Sequence, residues 1–95
     1  MITIAAICRE VPGVSESEIW HFVEADWVRP ARQAGQPVFS EADLARIRLI
    51  QDLRSTLAVE EATLPLVLSL VDQLYAARHL LRRVPAEVWV GLEEK

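Results

Sequence analysis

The sequence predicts a mainly α chain in which a helix-turn-helix is followed by a small hairpin wing and a long C-terminal helix. Three observations carry that expectation. Ser15 and Ser40 stand where helix N-caps belong, each just ahead of acidic residues that suit a helix N-terminus. A Pro/Gly-containing stretch, residues 28–39 (VRPARQAGQPVF), separates the helical segments. The last long segment is apolar on two faces, so it has to be covered twice.

The 95 residues suit a single domain, and 52% of them are hydrophobic, which is a folding composition. Ten Lys+Arg stand against 14 Asp+Glu, a formal net charge of −4. That balance argues against a general polyanion binder, because such proteins use Lys and Arg to displace counterions. The single cysteine, Cys8, permits no internal disulfide and suits a reducing, cytoplasmic setting. Beside Ala5, Ala6 and Ile7 it reads as core filler rather than nucleophile. Residues 1–8 lack a basic leader and a cleavage site. The run 64–74 (LPLVLSLVDQL) is broken by Ser69 and Asp72 and falls short of the roughly 20 residues a spanning helix needs. A soluble protein with no membrane segment is expected.

Ile2-Thr3-Ile4 suits a short extended start, and residues 5–10 have helical composition up to the breaker Pro12-Gly13. Ser15 with Glu18 then forms a capping box for a second helix, whose buried face is Ile19, Phe22 and Val23 and which stops near Asp26-Trp27. Val28 and the pair Val38-Phe39 flank a loop containing Gly35, the pattern of a hairpin. Ser40 caps a third helix, with Glu41 and Asp43 in its first turn. Its stripe is Leu44, Ile47, Ile50, Leu53 and Leu57, with Arg46, Arg48 and Arg54 on the flanks. A break at 58–61 precedes the long helix, residues 62–84, with Pro65 in its first turn. Leu64, Val67, Val71, Leu74 and Leu81 form one stripe; Leu66, Leu70, Ala77, Leu80 and Val84 form another. One face packs on the domain, and Leu66, Val67, Leu70, Val71, Leu74 and Leu81 supply the contact of a homodimer. The tail, residues 85–95, is apolar around Val88, Trp89 and Val90 and then acidic.

This ordering resembles the N-terminal domain of MerR-type winged helix-turn-helix regulators over residues 2–57. The matching pieces are Ile2-Thr3-Ile4, Gly13-Val14-Ser15, Trp27-Val28-Arg29-Pro30-Ala31-Arg32 and Val38-Phe39-Ser40-Glu41-Ala42-Asp43-Leu44-Ala45-Arg46-Ile47. The second helix departs from that family's S-x-R-T-L-R-Y-Y pattern: Ser17 and Trp20 replace its arginines, and His21 replaces its first tyrosine. From Val14 to Trp27 there are four acids, Glu16, Glu18, Glu24 and Asp26, and no Lys or Arg. Helices that read a major groove lie among phosphates and use Arg, Lys, Asn and Gln, so DNA binding is doubtful. The chain is more similar to the chaperone modulator CbpM family, a short relative of the MerR fold. Leu57-Ala58-Val59-Glu60 and residues 66–74 (LVLSLVDQL) resemble its L-A-L-D and V-A-L-x-L-x-D-x-I segments. That resemblance implies binding to the J domain of a DnaJ/CbpA-like co-chaperone and inhibition of its co-chaperone and DNA-binding activity. Separately, Cys8 and the histidines show no arrangement of a nucleophile with an oxyanion loop, and no paired carboxylates stand out beyond the acidic helix, so no enzymatic role is expected. A J domain presents a basic helix, which an acidic surface complements.

The partner-binding residues expected on this basis are Glu16, Glu18, Trp20, His21, Glu24 and Asp26. His21 and His79 stand too far apart in sequence, and without Cys or carboxylate at a recognised spacing, to suggest a metal site. Gly13, Gly35 and Gly91 are isolated, so no phosphate-cradling loop is expected, and no cofactor. Trp27 reads as core. Trp20 is balanced between core and an exposed anchor of the kind that dominates protein interfaces. Arg29, Arg32, Arg46 and Arg48 carry the rival reading, a MerR-type DNA-binding regulator whose wing and third helix touch phosphates.

Overall fold

A computed structural model describes residues 1–83. Val84 and the tail with Val88, Trp89 and Val90 lie outside the described residues. The order is α1 (Ile4–Glu10), α2 (Glu16–Glu24), β1 (Ala31–Gln33), β2 (Gln36–Val38), α3 (Glu41–Ser55), a one-turn 3-10 helix (Glu61–Thr63) and α4 (Leu64–Leu81). The architecture is mainly helical with one small antiparallel hairpin. Two compact units divide it, Met1–Pro65 and Leu66–Lys95.

Local chemistry places most boundaries. The Thr3 side chain accepts from the Ala6 amide and starts α1. Ser15 accepts from the Glu18 amide at 3.2 Å while the Glu18 carboxylate accepts from the Ser15 amide at 3.0 Å, a complete capping box for α2. Ser40 and Asp43 build a second box for α3, with distances of 3.1 and 2.8 Å. Between α1 and α2 the chain turns at Gly13, whose φ is +86°. A Cβ there would stand 2.9 Å from Gln51 Nε2, the movable end of a side chain. The left-handed backbone therefore dominates, and Gly13→Ala is expected to lower stability by about 1–2 kcal/mol. Urea unfolding that shows no loss would mean the turn relaxes.

At the C-terminal end of α2, the Trp27 amide donates to the Phe22 carbonyl at 2.9 Å and the Asp26 amide to Val23 at 3.1 Å. Asp26 lies between them at φ +66°, so the helix closes in a Schellman arrangement with Asp where Gly is usual. The hairpin turns through Ala34 (φ +52°) and Gly35 (φ +78°), a two-residue turn in which both central residues are left-handed. An isolated bridge ties Ile2 to Phe39, with bonds of 2.8 and 2.7 Å. The chain's extended start thus pairs with the residue that leads into α3.

The core of the first unit gathers Ile7, Val11, Ile19, Phe22, Trp27, Val28, Phe39, Ile47, Ile50 and Leu53, all buried. The expected core position of Trp27 is confirmed. Leu57 is not on the α3 stripe. That helix ends at Ser55, the chain turns through Ala58 at φ +52°, and Leu57 is 65% exposed. Along α4, Leu64 and Leu68 are buried and Val67, Val71 and Leu81 half-buried. Leu74, expected on the same stripe as Leu64, is exposed, and Leu68 was on neither expected stripe.

Candidate functional site: the outer face of the second helix

At about 100° per residue, the nine residues of α2 separate into two arcs. Ile19 and Phe22 point inward and are fully buried. Glu16, Trp20 and Glu24 recur every fourth residue and form one ridge on the outer arc, with Ser17 and His21 beside it. The two glutamates are exposed and Trp20 is half-buried. Trp20 thus stands between two carboxylates.

Glu18 has a different setting from the other acids. Its carboxylate pairs with Arg54 of α3 at 2.5 Å, and both side chains are 34% exposed. Arg54 also lies 5.2 Å over the Phe22 ring, and its second terminal nitrogen, Nη1, is buried with no hydrogen-bond partner. The Arg54 bond, followed by the Ser15 amide, holds the Glu18 carboxyl below the ordinary glutamate range. A carboxyl depressed in the folded state contributes stability above its unfolded pKa and loses it as pH falls through the lower folded value. Acid unfolding of the wild type should therefore steepen below about pH 4.3, and Glu18→Gln should flatten that dependence. Identical acid profiles would remove the pair from the account. Because the site is partly open, its contribution stays near 1 kcal/mol.

Asp26 is also engaged. It accepts two bonds from Arg29, at 3.0 and 2.7 Å, at the exposed end of α2. The His21 ring meets Glu61 of the 3-10 helix and lies edge-on to Trp27, with centroids 5.4 Å apart. Glu61 therefore joins the acidic surface around α2, a neighbour that helical spacing within α2 has no way to signal. Glu16 and Glu24 have no ion pair among the described residues.

The cations invoked for DNA contact have partners in the fold. Arg29 binds Asp26, Arg46 donates to the Trp27 carbonyl, and Arg48 pairs with Glu10 at 3.3 Å. Arg32 is exposed on β1 and reaches the Gly35 carbonyl at 3.4 Å. Cys8 is half-buried, and burial and the nearby Glu16 carboxylate push its thiol up, away from the reactive thiolate. An open cleft of about 460 Å³ borders Ile2, Glu10, Leu44 and Arg48 and contains no histidine or cysteine. Among the described residues no group of three His, Cys, Asp or Glu side chains is placed to hold a metal, and no helix is long and apolar enough to cross a membrane.

Comparison with protein-family models, with curated proteins and with solved structures finds no match to this chain.

Proposed function

We propose that the chain is a cytoplasmic regulatory protein built as a MerR-like winged helix-turn-helix, with α1 and α2 as the helix pair and the β1–β2 hairpin as the wing. In this reading it resembles the CbpM family and uses the outer face of α2 to bind the basic helix of a J domain in a DnaJ/CbpA-like co-chaperone. Binding there inhibits the co-chaperone and blocks its contact with DNA. One observation carries the reading: the outer arc of α2 offers Glu16, Trp20 and Glu24 with no exposed cation among them. A helix so charged is repelled by phosphates and attracts a basic partner. The aromatic on the ridge supplies the apolar area that interface centres favour.

The test is direct binding of the full chain to an isolated J domain, with a defined DNA duplex measured in parallel at the same salt. Saturable J-domain binding with no duplex binding is expected. Nanomolar duplex binding without J-domain binding would give the role to a DNA-binding regulator.

A further inference from the structure

The charges of the chain are unevenly placed. Residues 1–65 carry ten Asp+Glu and six Arg, whereas residues 66–83 carry one acid, Asp72, and three arginines, Arg78, Arg82 and Arg83. The basic stretch also leaves apolar surface in water. Leu66 is 61% exposed, Leu70 and Leu74 each 55%, and Leu80 62%. On a wheel of about 100° per residue, Leu66, Leu70, Leu74, Ala77, Leu80 and Leu81 fill an arc of about 120° interrupted only by Gln73. Asp72, Tyr75, His79 and Arg82 occupy the opposite side, and Arg78 stands at the border, one turn from Leu74. These side chains are all exposed.

We infer that α4 lies along an anionic lipid bilayer, with its leucine arc in the acyl boundary and its arginines among the headgroup phosphates. A leucine face backed by a polar face rich in arginine is the pattern of helices that lie in the plane of the interface. An arginine at the border, such as Arg78, lays its stem on apolar surface and keeps its guanidinium among the phosphates. The helix has 18 residues, a length of about 27 Å. Among the described residues no helix is long and apolar enough to cross a membrane, so the contact runs along the surface.

Charge and apolar area together select this occupant. A nucleic acid would take the arginines and leave the leucines in water. A second copy of the chain would cover the leucines and leave His79 and Arg82, on the far side, uninvolved. A bilayer that carries anionic lipid uses both faces. The surplus acid of residues 1–65 is repelled by the same bilayer, which confines the contact to α4. At physiological salt that repulsion decays within about 8 Å.

The full chain should co-sediment with phosphatidylcholine vesicles containing about a third phosphatidylglycerol. It should bind pure phosphatidylcholine roughly tenfold more weakly, because each basic residue near an anionic surface adds attraction. Salt at about 1 M should remove most of that difference. Leu70→Glu with Leu74→Glu should abolish binding to both vesicles with an unchanged helical circular-dichroism signal. Arg78→Glu with Arg82→Glu should remove the preference for phosphatidylglycerol. A polarity-sensitive dye on Leu70→Cys, in a Cys8→Ser background, should shift to the blue on the anionic vesicles, and the same dye on Asp72→Cys should not. Equal shifts at both positions, or equal binding to the two vesicle types, would overturn the proposal. So would a chain left in the supernatant by the anionic vesicles. Light scattering would then assign the leucine arc, twice the 10.7 kDa chain mass giving it to a second copy and the single chain mass to another part of the same chain.

Discussion

Phe22→Ala should lower the stability of the folded chain by about 3–5 kcal/mol, the usual cost of emptying a fully buried aromatic site. Phe22 has no exposed surface, and its ring lies 5.7 Å from the Trp27 ring. The same ring lies under the Arg54 guanidinium that pairs with Glu18. Truncation therefore opens a cavity, removes an aromatic contact, and leaves a half-buried cation over empty space whose Nη1 already lacks a partner. Domains of this size are stable by only about 5–15 kcal/mol, so much of the folded population would be at risk. Urea unfolding should show a large drop in midpoint with an unchanged slope. Phe22→Leu, which keeps most of the volume, should cost far less. A loss under 1 kcal/mol for Phe22→Ala would mean that α2 is not anchored through this ring.

What the sequence made legible was local. The Ser15–Glu18 box spans three residues, and the hairpin was marked by a glycine at a left-handed turn position. The helix order and the two-strand hairpin follow from such short-range signals. Contacts set by tertiary packing were not legible. Glu18 reads as one of four like acids because helical spacing reports its place on α2 and nothing of what α3 brings to it. Arg54 lies 36 residues away and neutralises that acid. Asp26 is likewise occupied, by Arg29 and by the backbone closure of α2. Glu61 reaches His21 across 40 residues and had no local signature. On α4 the difficulty was too little contrast. Leucines at 64, 66, 68, 70 and 74 permit several stripes, and burial alone picks out Leu64 and Leu68. Leu57 continued the α3 spacing past the point where the left-handed Ala58 turns the chain.

Those assignments change which charges should be reversed to test the α2 surface. Glu18→Lys would break the capping box and the Arg54 pair, so lost binding would be confounded with lost structure. Glu16→Lys with Glu24→Lys instead changes the two exposed acids on either side of Trp20 and brings the formal net charge from −4 to zero. Exposed substitutions of this kind usually move stability by less than about 0.5 kcal/mol, so the fold should survive. Glu16 also lies in the first turn of α2, where a carboxylate suits the helix dipole, and its loss costs a further few tenths of a kcal/mol. Association with a basic J-domain helix should slow roughly tenfold at low salt, because electrostatic steering lifts association well above its neutral rate. Dissociation should change less, since Trp20 remains in place. Raising the salt to about 1 M shrinks the screening length to about 3 Å, and the two proteins should then associate at similar rates. Trp20→Ala in the wild-type background should show the converse pattern, faster dissociation with little change in the salt slope. Equal on-rates for the wild type and the doubly reversed variant at low salt would remove this ridge from the proposed J-domain interface.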